Sequence, residues 1–157
     1  EFGRPNDVHF EELDLGALVG DVLQSTAPLL RQHNIVLETD LDPSLPPIKG
    51  DHERLKQVFV NLILNAVQVM PDGGRLWVRN WATEEAVCVS VRDTGPGIAE
   101  EDLKHIFEPF YTTKPGGGGL GLALSDQIVK IHGGEIKAES GPEGGATFTV
   151  CLPRTAE

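Results

Sequence analysis

The sequence predicts an α/β fold: a two-layer α/β sandwich whose mixed, mostly antiparallel sheet carries its helices on one face. Three observations predict it. Apolar residues recur at helical spacing in three segments, several short segments alternate as strands do, and two of these are joined by a hairpin-length turn. The 157 residues, 39% of them hydrophobic, suit one domain with a substantial core.

The first half of the chain contains two predicted helices with a strand between them. Asp14 is expected to cap the first helix, and Pro28 to kink or interrupt it. A strand follows over residues 35–41, and Asp51 is expected to cap the second helix, which a turn at 71–74 ends. That helix has a buried stripe of Leu55, Val58, Phe59, Leu62, Ala66, Val69 and Met70 and a polar stripe of Arg54, Gln57, Asn61, Asn65 and Gln68.

The second half contains a hairpin, a long connection, a helix and two more strands. Residues 75–81 and 86–92 form the hairpin, and residues 93–119 contain one short helical piece near 100–106. So long a connection is typical of a lid or a binding loop. A helix over 120–132 and strands over 135–139 and 146–152 complete the domain. We assign residues 1–13 to a linker or cloning remnant, 14–153 to one domain and 154–157 to a tail.

Charge and composition exclude several classes of partner. The net charge of −11 argues against nucleic acid and against contact with an anionic membrane surface. An anionic ligand must therefore be held locally, by backbone N–H groups, a metal and a few cations. The longest apolar stretch is interrupted by polar residues and no signal peptide is visible, so we expect a cytoplasmic protein.

Cysteine and histidine residues show no pattern of metal ligands. Cys88 and Cys151 lie in separate predicted strands and are expected to be buried, reduced thiols. The five histidines do not cluster, and surface or capping roles are expected for all of them.

Asp93 ends a predicted strand and begins a turn that contains Gly95 and Gly97. A carboxylate at this edge of a sheet can accept a hydrogen bond from the exocyclic amino group of adenine, whereas guanine presents a carbonyl there. The two glycines permit close approach of the backbone to a flat ring. An aspartate that merely initiates a turn explains the same residues, so the motif alone leaves both interpretations open.

Asn61 and Asn65 lie one helical turn apart on the same face of the second helix. Amide oxygens suit Mg²⁺, which takes few protein ligands and keeps water and phosphate oxygens. Asparagine is also a poor helix former, so two of them within a strong helix need a reason. A solvated or capping pair is the alternative.

The glycine run at residues 116–119 precedes a helix, an arrangement that suits phosphate binding. Its spacing with Gly121 also satisfies the dinucleotide-binding pattern, but residues 110–115 make a poor preceding strand. Lys114 could reach a terminal phosphate. A flexible linker and a solvated lysine are the alternatives. Phe107 and Phe110 are expected to anchor this segment to the core.

Taken in order, these motifs resemble the catalytic ATP-binding domain of bacterial two-component sensor histidine kinases, within the broader family shared with DNA gyrase, HSP90 and MutL. The resemblance covers residues 10–153. Residues 61–66 resemble the N box, 93–97 the G1 box, 106–110 the F box, 117–122 the G2 box and 144–148 the last glycine motif.

The resemblance implies a Bergerat-type fold that binds ATP and Mg²⁺. Asp93 would hold adenine, Asn65 would ligate Mg²⁺ with help from Asn61, and residues 107–119 would form a lid over the nucleotide. Asn61 and Lys114 would act in catalysis. The remaining nucleotide contacts implied are Gly95, Gly97, Phe107, Gly117, Gly119, Leu120, Gly121, Leu122 and Thr147.

The resemblance also implies an acceptor for the γ-phosphate: a histidine on a separate dimerisation domain of the same full-length kinase, which passes it to a response regulator. The fragment itself is expected to be a monomer that does not phosphorylate itself. Hydrolytic relatives have a general-base glutamate at the position of Asn61, and its absence favours transfer over hydrolysis.

Two residues depart from the family pattern. Gln68 stands where many relatives have lysine, and Gly118 where they have threonine or serine. These two residues keep open an ATP-gated interaction module without catalysis. A serine kinase of the anti-sigma-factor type also stays open, because it uses the same site on a protein serine. Residues 57–74 look most like nitrogen-regulation-type kinases. Since four glycines lose much entropy on ordering, the lid is expected to be unordered without nucleotide.

Overall fold

The computed structural model describes residues 8–111, 121–141 and 144–155. Four helices and seven strands lie in these ranges. In chain order they are β1 (Glu11–Leu13), α1 (Leu15–Gln32), β2 (Ile35–Asp40), β3 (Ile48–Gly50), α2 (His52–Val69), β4 (Gly74–Ala82), β5 (Ala86–Asp93), α3 (Glu100–Leu103), α4 (Gly121–Ile131), β6 (Glu135–Ser140) and β7 (Ala146–Pro153).

Five strands form the main sheet in the order β2-β4-β5-β7-β6. β2 runs parallel to β4, and the other neighbours are antiparallel. Side chains alternate between the two faces, and those on one face join the apolar surfaces of α1, α2 and α4 in a single core. The predicted two-layer α/β sandwich, with its mostly antiparallel sheet, is therefore confirmed.

Helix α1 begins as predicted but does not stop at Pro28. Asp14 Oδ1 accepts a hydrogen bond from Ala17 N–H (3.2 Å) and caps the helix. The prediction that Pro28 interrupts the helix is wrong, because α1 continues to Gln32. Pro28 costs a single intrahelical bond near the helix end, and burial of Leu30 in the following turn holds that turn against the core. None of the described helices is long and apolar enough to cross a membrane.

Short pairings at both ends of the chain extend the fold. β1 pairs antiparallel with β3, so residues 11–13, which were assigned to a linker, contribute a strand. At the other end, Arg154 N–H donates to the Glu85 carbonyl (3.0 Å) and Thr155 N–H to the Pro47 carbonyl (3.1 Å). Three-residue strands are too short to show alternation, so the sequence carried no signal for them.

Cys88 and Cys151 form a disulfide, so the expectation of reduced thiols is wrong. The two residues lie directly opposite each other on β5 and β7, with their Cα atoms 4.1 Å apart. They are separated by 63 positions in the sequence. Only the register of the two strands brings them together, and that register could not be inferred from cysteine spacing.

His132 is buried, so the expectation of a surface role is wrong for this residue, whereas a capping role is confirmed, because its ring bonds one of the last carbonyls of α4. Its Nε2 accepts a hydrogen bond from Asp51 N–H (3.0 Å), and its Nδ1 donates to the Ile128 carbonyl (2.8 Å). One partner can only donate and the other only accept, which defines the tautomer. The ring also stacks on Phe10 (4.7 Å between ring centroids). His132 therefore joins the segment before β1, the start of α2 and the end of α4.

Candidate nucleotide-binding site

Asp93 is the last residue of β5, and its side chain lies on the helix-covered face of the sheet, 3% exposed. Its Oδ1 accepts hydrogen bonds from Gly95 N–H (2.8 Å) and Ala146 N–H (3.2 Å). Burial raises the pKa of Asp93 above its ordinary value, against the opposing effect of these two N–H donors. Within the described part of the chain both hydrogen bonds go to Oδ1, so Oδ2 is the acceptor that a ligand can use.

Gly95 and Gly97 pack against neighbouring backbone and side chains. A Cβ at Gly95 would lie 2.9 Å from Val69 Cγ2, at the end of α2. Gly97 has a φ of +84°, and a Cβ there would lie 2.6 Å from Ser140 Oγ. Protein packing thus already requires both glycines, and their approach to a purine ring stays a prediction.

One face of α2 connects this turn to helix α4. Asn61, Asn65 and Val69 are spaced four residues apart and share that face. Val69 packs against Gly95 at one end, as described above. At the other end Asn61 Nδ2 donates to the Gly121 carbonyl (3.3 Å) and to Ser125 Oγ (3.4 Å) on α4. Asn61 and Val69 are eight positions apart in α2, a rise of about 12 Å along the helix axis, which suits the distance from the base to the outer phosphates of an extended nucleotide.

A cavity of about 580 Å³ opens at the Asn61 end of this face. Asn61, Phe107, Gly121 and Leu124 are among the residues that line it, whereas Asp93 is not. Phe107 also meets Phe148 edge to face, with ring centroids 6.4 Å apart. The cavity therefore lies at the α4 side of the α2 face, and the Asp93 carboxylate lies outside it.

The two phenylalanines of the predicted anchor behave differently. Phe107 packs against the core as expected. Phe110 is 74% exposed with a φ of +69°, so the prediction that it anchors the segment is wrong. The left-handed backbone at Phe110 turns its side chain outward, and the buried Ile106 packs into the core instead. Tyr111 donates its hydroxyl proton to Asp102, and this hydrogen bond raises the pKa of Tyr111.

Thr147 is not brought together with the other predicted site residues. It pairs with Arg92 in the register of β5 and β7, and both lie on the sheet face away from the helices, where they line a cavity of about 400 Å³. The preceding residue, Ala146, supplies the backbone N–H that binds Asp93. The sequence did indicate which of the two residues faces the core, because strand alternation places Ala146 on the same face as the apolar Phe148 and Thr147 on the other.

The other predicted contacts divide into described and undescribed residues. Gly121 is exposed at the start of α4, and Leu122 is half-buried and packs on the core. Lys114, Gly117, Gly119 and Leu120 lie outside the described residues.

The family model of the histidine kinase-, DNA gyrase B- and HSP90-like ATPases matches residues 50–156. This range contains Asp93, both asparagines of α2 and helix α4. The chain belongs to this family of ATPases. Within it, the chain is a catalytic domain of the histidine kinase type, as the following relatives show.

Curated relatives and solved structures agree on this class. The signal transduction histidine-protein kinase AtoS of Escherichia coli is 40% identical over 98% of this chain, and sporulation kinase E of Bacillus subtilis is 38% identical over 96%. The chain spans only 25% and 20% of the length of those two kinases. The nucleotide-free catalytic domain of histidine kinase ThkA superposes with a TM-score of 0.86 at 33% identity, covering 95% of this chain and all of that one.

Two further structures contain a ligand or a partner. Full-length ShkA in complex with AMPPNP has a TM-score of 0.84 at 30% identity, with 96% of this chain and 32% of that chain covered. ThkA in complex with the response regulator TrrA has a TM-score of 0.81 at 32% identity, with 93% and 42% covered.

Proposed function

We propose that this domain binds Mg·ATP and donates its γ-phosphate to a histidine on a separate dimerisation domain of the same full-length kinase, from which a response regulator receives it. The observation that carries the proposal is the buried Asp93 carboxylate. Its Oδ1 is held by Gly95 and Ala146, and it stands at one end of the α2 face that presents Asn61 and Asn65.

Adenine would lie at the Asp93 end, with its exocyclic amino group donating to Oδ2. Guanine presents a carbonyl at the same place and would meet Oδ2 acceptor to acceptor. The phosphates would then lie toward Asn61 and Gly121, in the direction of the 580 Å³ cavity. The AMPPNP complex of ShkA supports this choice of ligand.

The residues present fit Mg²⁺. Magnesium prefers hard oxygen ligands and is bound with few protein groups, together with phosphate oxygens and water. Asn61 Nδ2 faces α4, which leaves its Oδ1 on the other side of the planar amide, and Asn65 lies one turn along the same face. Asn65 and Asn61 would hold the ion, which neutralises phosphate charge when bound. Lys114, Gly117, Gly119, Leu120 and Leu122 are assigned to nucleotide contacts on the sequence alone.

The site favours group transfer over hydrolysis. An amide such as that of Asn61 cannot deprotonate water, so this position offers no general base. Phosphoryl transfer asks mainly for positioning and charge neutralisation, which Asp93 and the two asparagines would supply. The complex of ThkA with TrrA supports a response regulator as the downstream partner. We place the domain in the cytoplasm, where ATP is available.

Calorimetry with ATP and GTP, with and without Mg²⁺, tests the nucleotide site. We expect Mg²⁺-assisted binding of ATP, rejection of GTP, and an affinity loss of about 10- to 100-fold for Asp93→Asn, since hydrogen bonds to charged groups contribute about 1.5–3 kcal/mol. In the variant, an amide oxygen can still accept from Gly95 and Ala146, so its NH₂ would face the donor of adenine. Asp72→Asn, in an exposed turn, is the control. ATP binding that is indifferent to Asp93 in a folded variant contradicts the proposal.

Transfer is tested separately, with γ-labelled ATP and a purified dimerisation domain from a histidine kinase. Acid-labile label on that domain is the expected product, because phosphohistidine hydrolyses in acid. Acid-stable label, or ATP binding with no transfer to any dimerisation domain supplied, contradicts the proposed acceptor.

A further inference from the structure

The hydroxyl of Ser125 is buried between α4 and α2. Ser125 is 0% exposed, one helical turn after Gly121. A buried hydroxyl costs free energy unless it is hydrogen-bonded. In the described part of the chain, the bond that Ser125 Oγ makes is with Asn61 Nδ2, at 3.4 Å. The buried serine therefore faces a residue of the proposed nucleotide site from the helix opposite.

The Gly121 carbonyl on α4 discriminates between the two ends of the Asn61 amide, because a carbonyl can only accept, whereas the Ser125 hydroxyl can accept or donate. In the structure, the Gly121 carbonyl and Ser125 Oγ both accept a hydrogen bond from Asn61 Nδ2. If the amide rotated by half a turn, its oxygen would meet the Gly121 carbonyl, acceptor to acceptor. The amide is planar, so an Nδ2 held against α4 turns Oδ1 away from α4.

We propose that Ser125 is a positioning residue for Mg·ATP, orienting Asn61 so that Oδ1 faces the metal. The inference rests on the proposed function and deepens it. Ser125 does not itself contact nucleotide or metal. Ser125 is fully buried and lies one helical turn after Gly121 in α4. Its hydroxyl is therefore a second hydrogen-bond partner for Asn61 Nδ2, and the two partners together fix the orientation of the Asn61 amide plane.

The test is a double-mutant cycle read out as the gain in ATP affinity on adding Mg²⁺. Ser125→Ala removes the acceptor without adding atoms. We expect it to reduce the Mg²⁺-dependent gain about 3- to 10-fold, as the loss of one hydrogen bond implies, and to leave ATP affinity in EDTA unchanged. In an Asn61→Ala background, Ser125→Ala should have no further effect. Ser25→Ala is the control for the loss of a serine hydroxyl, since Ser25 is an exposed residue of α1 whose Oγ donates to the Val22 carbonyl of the same helix.

The outcomes separate this inference from the proposed function. If the unmodified domain shows no Mg²⁺-dependent ATP binding, the proposed function fails. If that binding is present, three results would overturn the role of Ser125: an unchanged gain in Ser125→Ala, an equal loss with and without Mg²⁺, or a full additional loss in the Asn61→Ala background. Thermal unfolding of each variant in the absence of nucleotide shows whether a loss reflects the fold instead.

Discussion

At the scale of single residues, the two oxygens of Asp93 have different environments. Oδ1 accepts two backbone N–H groups, from the turn after β5 and from the start of β7. These bonds hold the carboxylate in one orientation before any ligand arrives. A ligand hydrogen bond to Oδ2 therefore costs little additional side-chain entropy.

The raised pKa of Asp93 makes a prediction about stability. A folded-state pKa above the ordinary value of 3.8 means that folding favours the protonated carboxyl. Its contribution is therefore full below the unfolded-state pKa and is lost as the pH rises through the folded-state pKa. We expect the free energy of unfolding of the unmodified domain, relative to Asp93→Asn, to fall as the pH rises through this range. Urea unfolding at a series of pH values measures it, and the comparison cancels other titrating groups. A difference that grows with pH would contradict it.

The position of Thr147 makes a second prediction at this scale. Its side chain lies on the sheet face opposite Asp93. We expect Thr147→Val, which removes only the hydroxyl, to change the affinity for ATP by less than about 2-fold, a small effect on the free-energy scale of binding. Calorimetry beside Asp93→Asn gives the comparison. An affinity loss as large as that of Asp93→Asn would show that the hydroxyl reaches the nucleotide after all.

At the scale of secondary-structure elements, the site depends on how α2 meets α4. The helices touch at the Asn61 end through Gly121 and Ser125, and His132 links the start of α2 to the end of α4. His132 therefore holds α2 and α4 together at one end, as the hydrogen bonds of Asn61 do farther along α2.

Replacing His132 should destabilise the domain. His132→Ala leaves the buried Asp51 N–H without its acceptor and removes the stacking with Phe10, so we expect a loss of about 2–3 kcal/mol in the free energy of unfolding. His52→Ala is the control: its side chain is 43% exposed and pairs with the exposed Glu53, so a change below about 0.5 kcal/mol is expected. Urea unfolding compares the two variants, and equal effects would show that the buried hydrogen bonds contribute nothing.

At the scale of the whole molecule, the candidate site is assembled from elements that are distant in the chain. The end of β5, one face of α2, the start of α4 and the start of β7 each supply a part. A ligand that bridges these parts stabilises the folded state by mass action, because the unfolded chain has no such site.

Nucleotide should therefore raise the thermal stability of the domain. With Mg·ATP at 100 times its dissociation constant, the expected stabilisation is about 2.7 kcal/mol, or a rise in Tm of about 5–10 °C. GTP at the same concentration should produce no comparable rise. Asp93→Asn, with an affinity about 10- to 100-fold weaker, should be stabilised by the same ATP concentration by only about 0.4–1.4 kcal/mol. Calorimetric melting measures the shift. An equal rise with GTP would mean that Asp93 does not select the base.

The sequence by itself determined the elements with strong local patterns. Helical periodicity located α1, α2 and α4, and alternation located the β4–β5 hairpin, β6 and β7. It also determined the chemistry available at Asp93, Asn61 and Asn65, since residue type and spacing are local properties. It did not identify Ala146, whose N–H binds Asp93 where the sequence had predicted Thr147.

Only the tertiary structure decided the contacts between residues far apart in the chain. The disulfide joins positions separated by 63 residues, the Asn61–Ser125 bond by 64, and the His132–Asp51 bond by 81. The pairing of β1 with β3 and the exposure of Phe110 were likewise decided by the packing of the whole chain. Their common physical reason is that burial and strand register are set by the packing of the whole chain, and a local window of sequence carries no information about which distant group will face it.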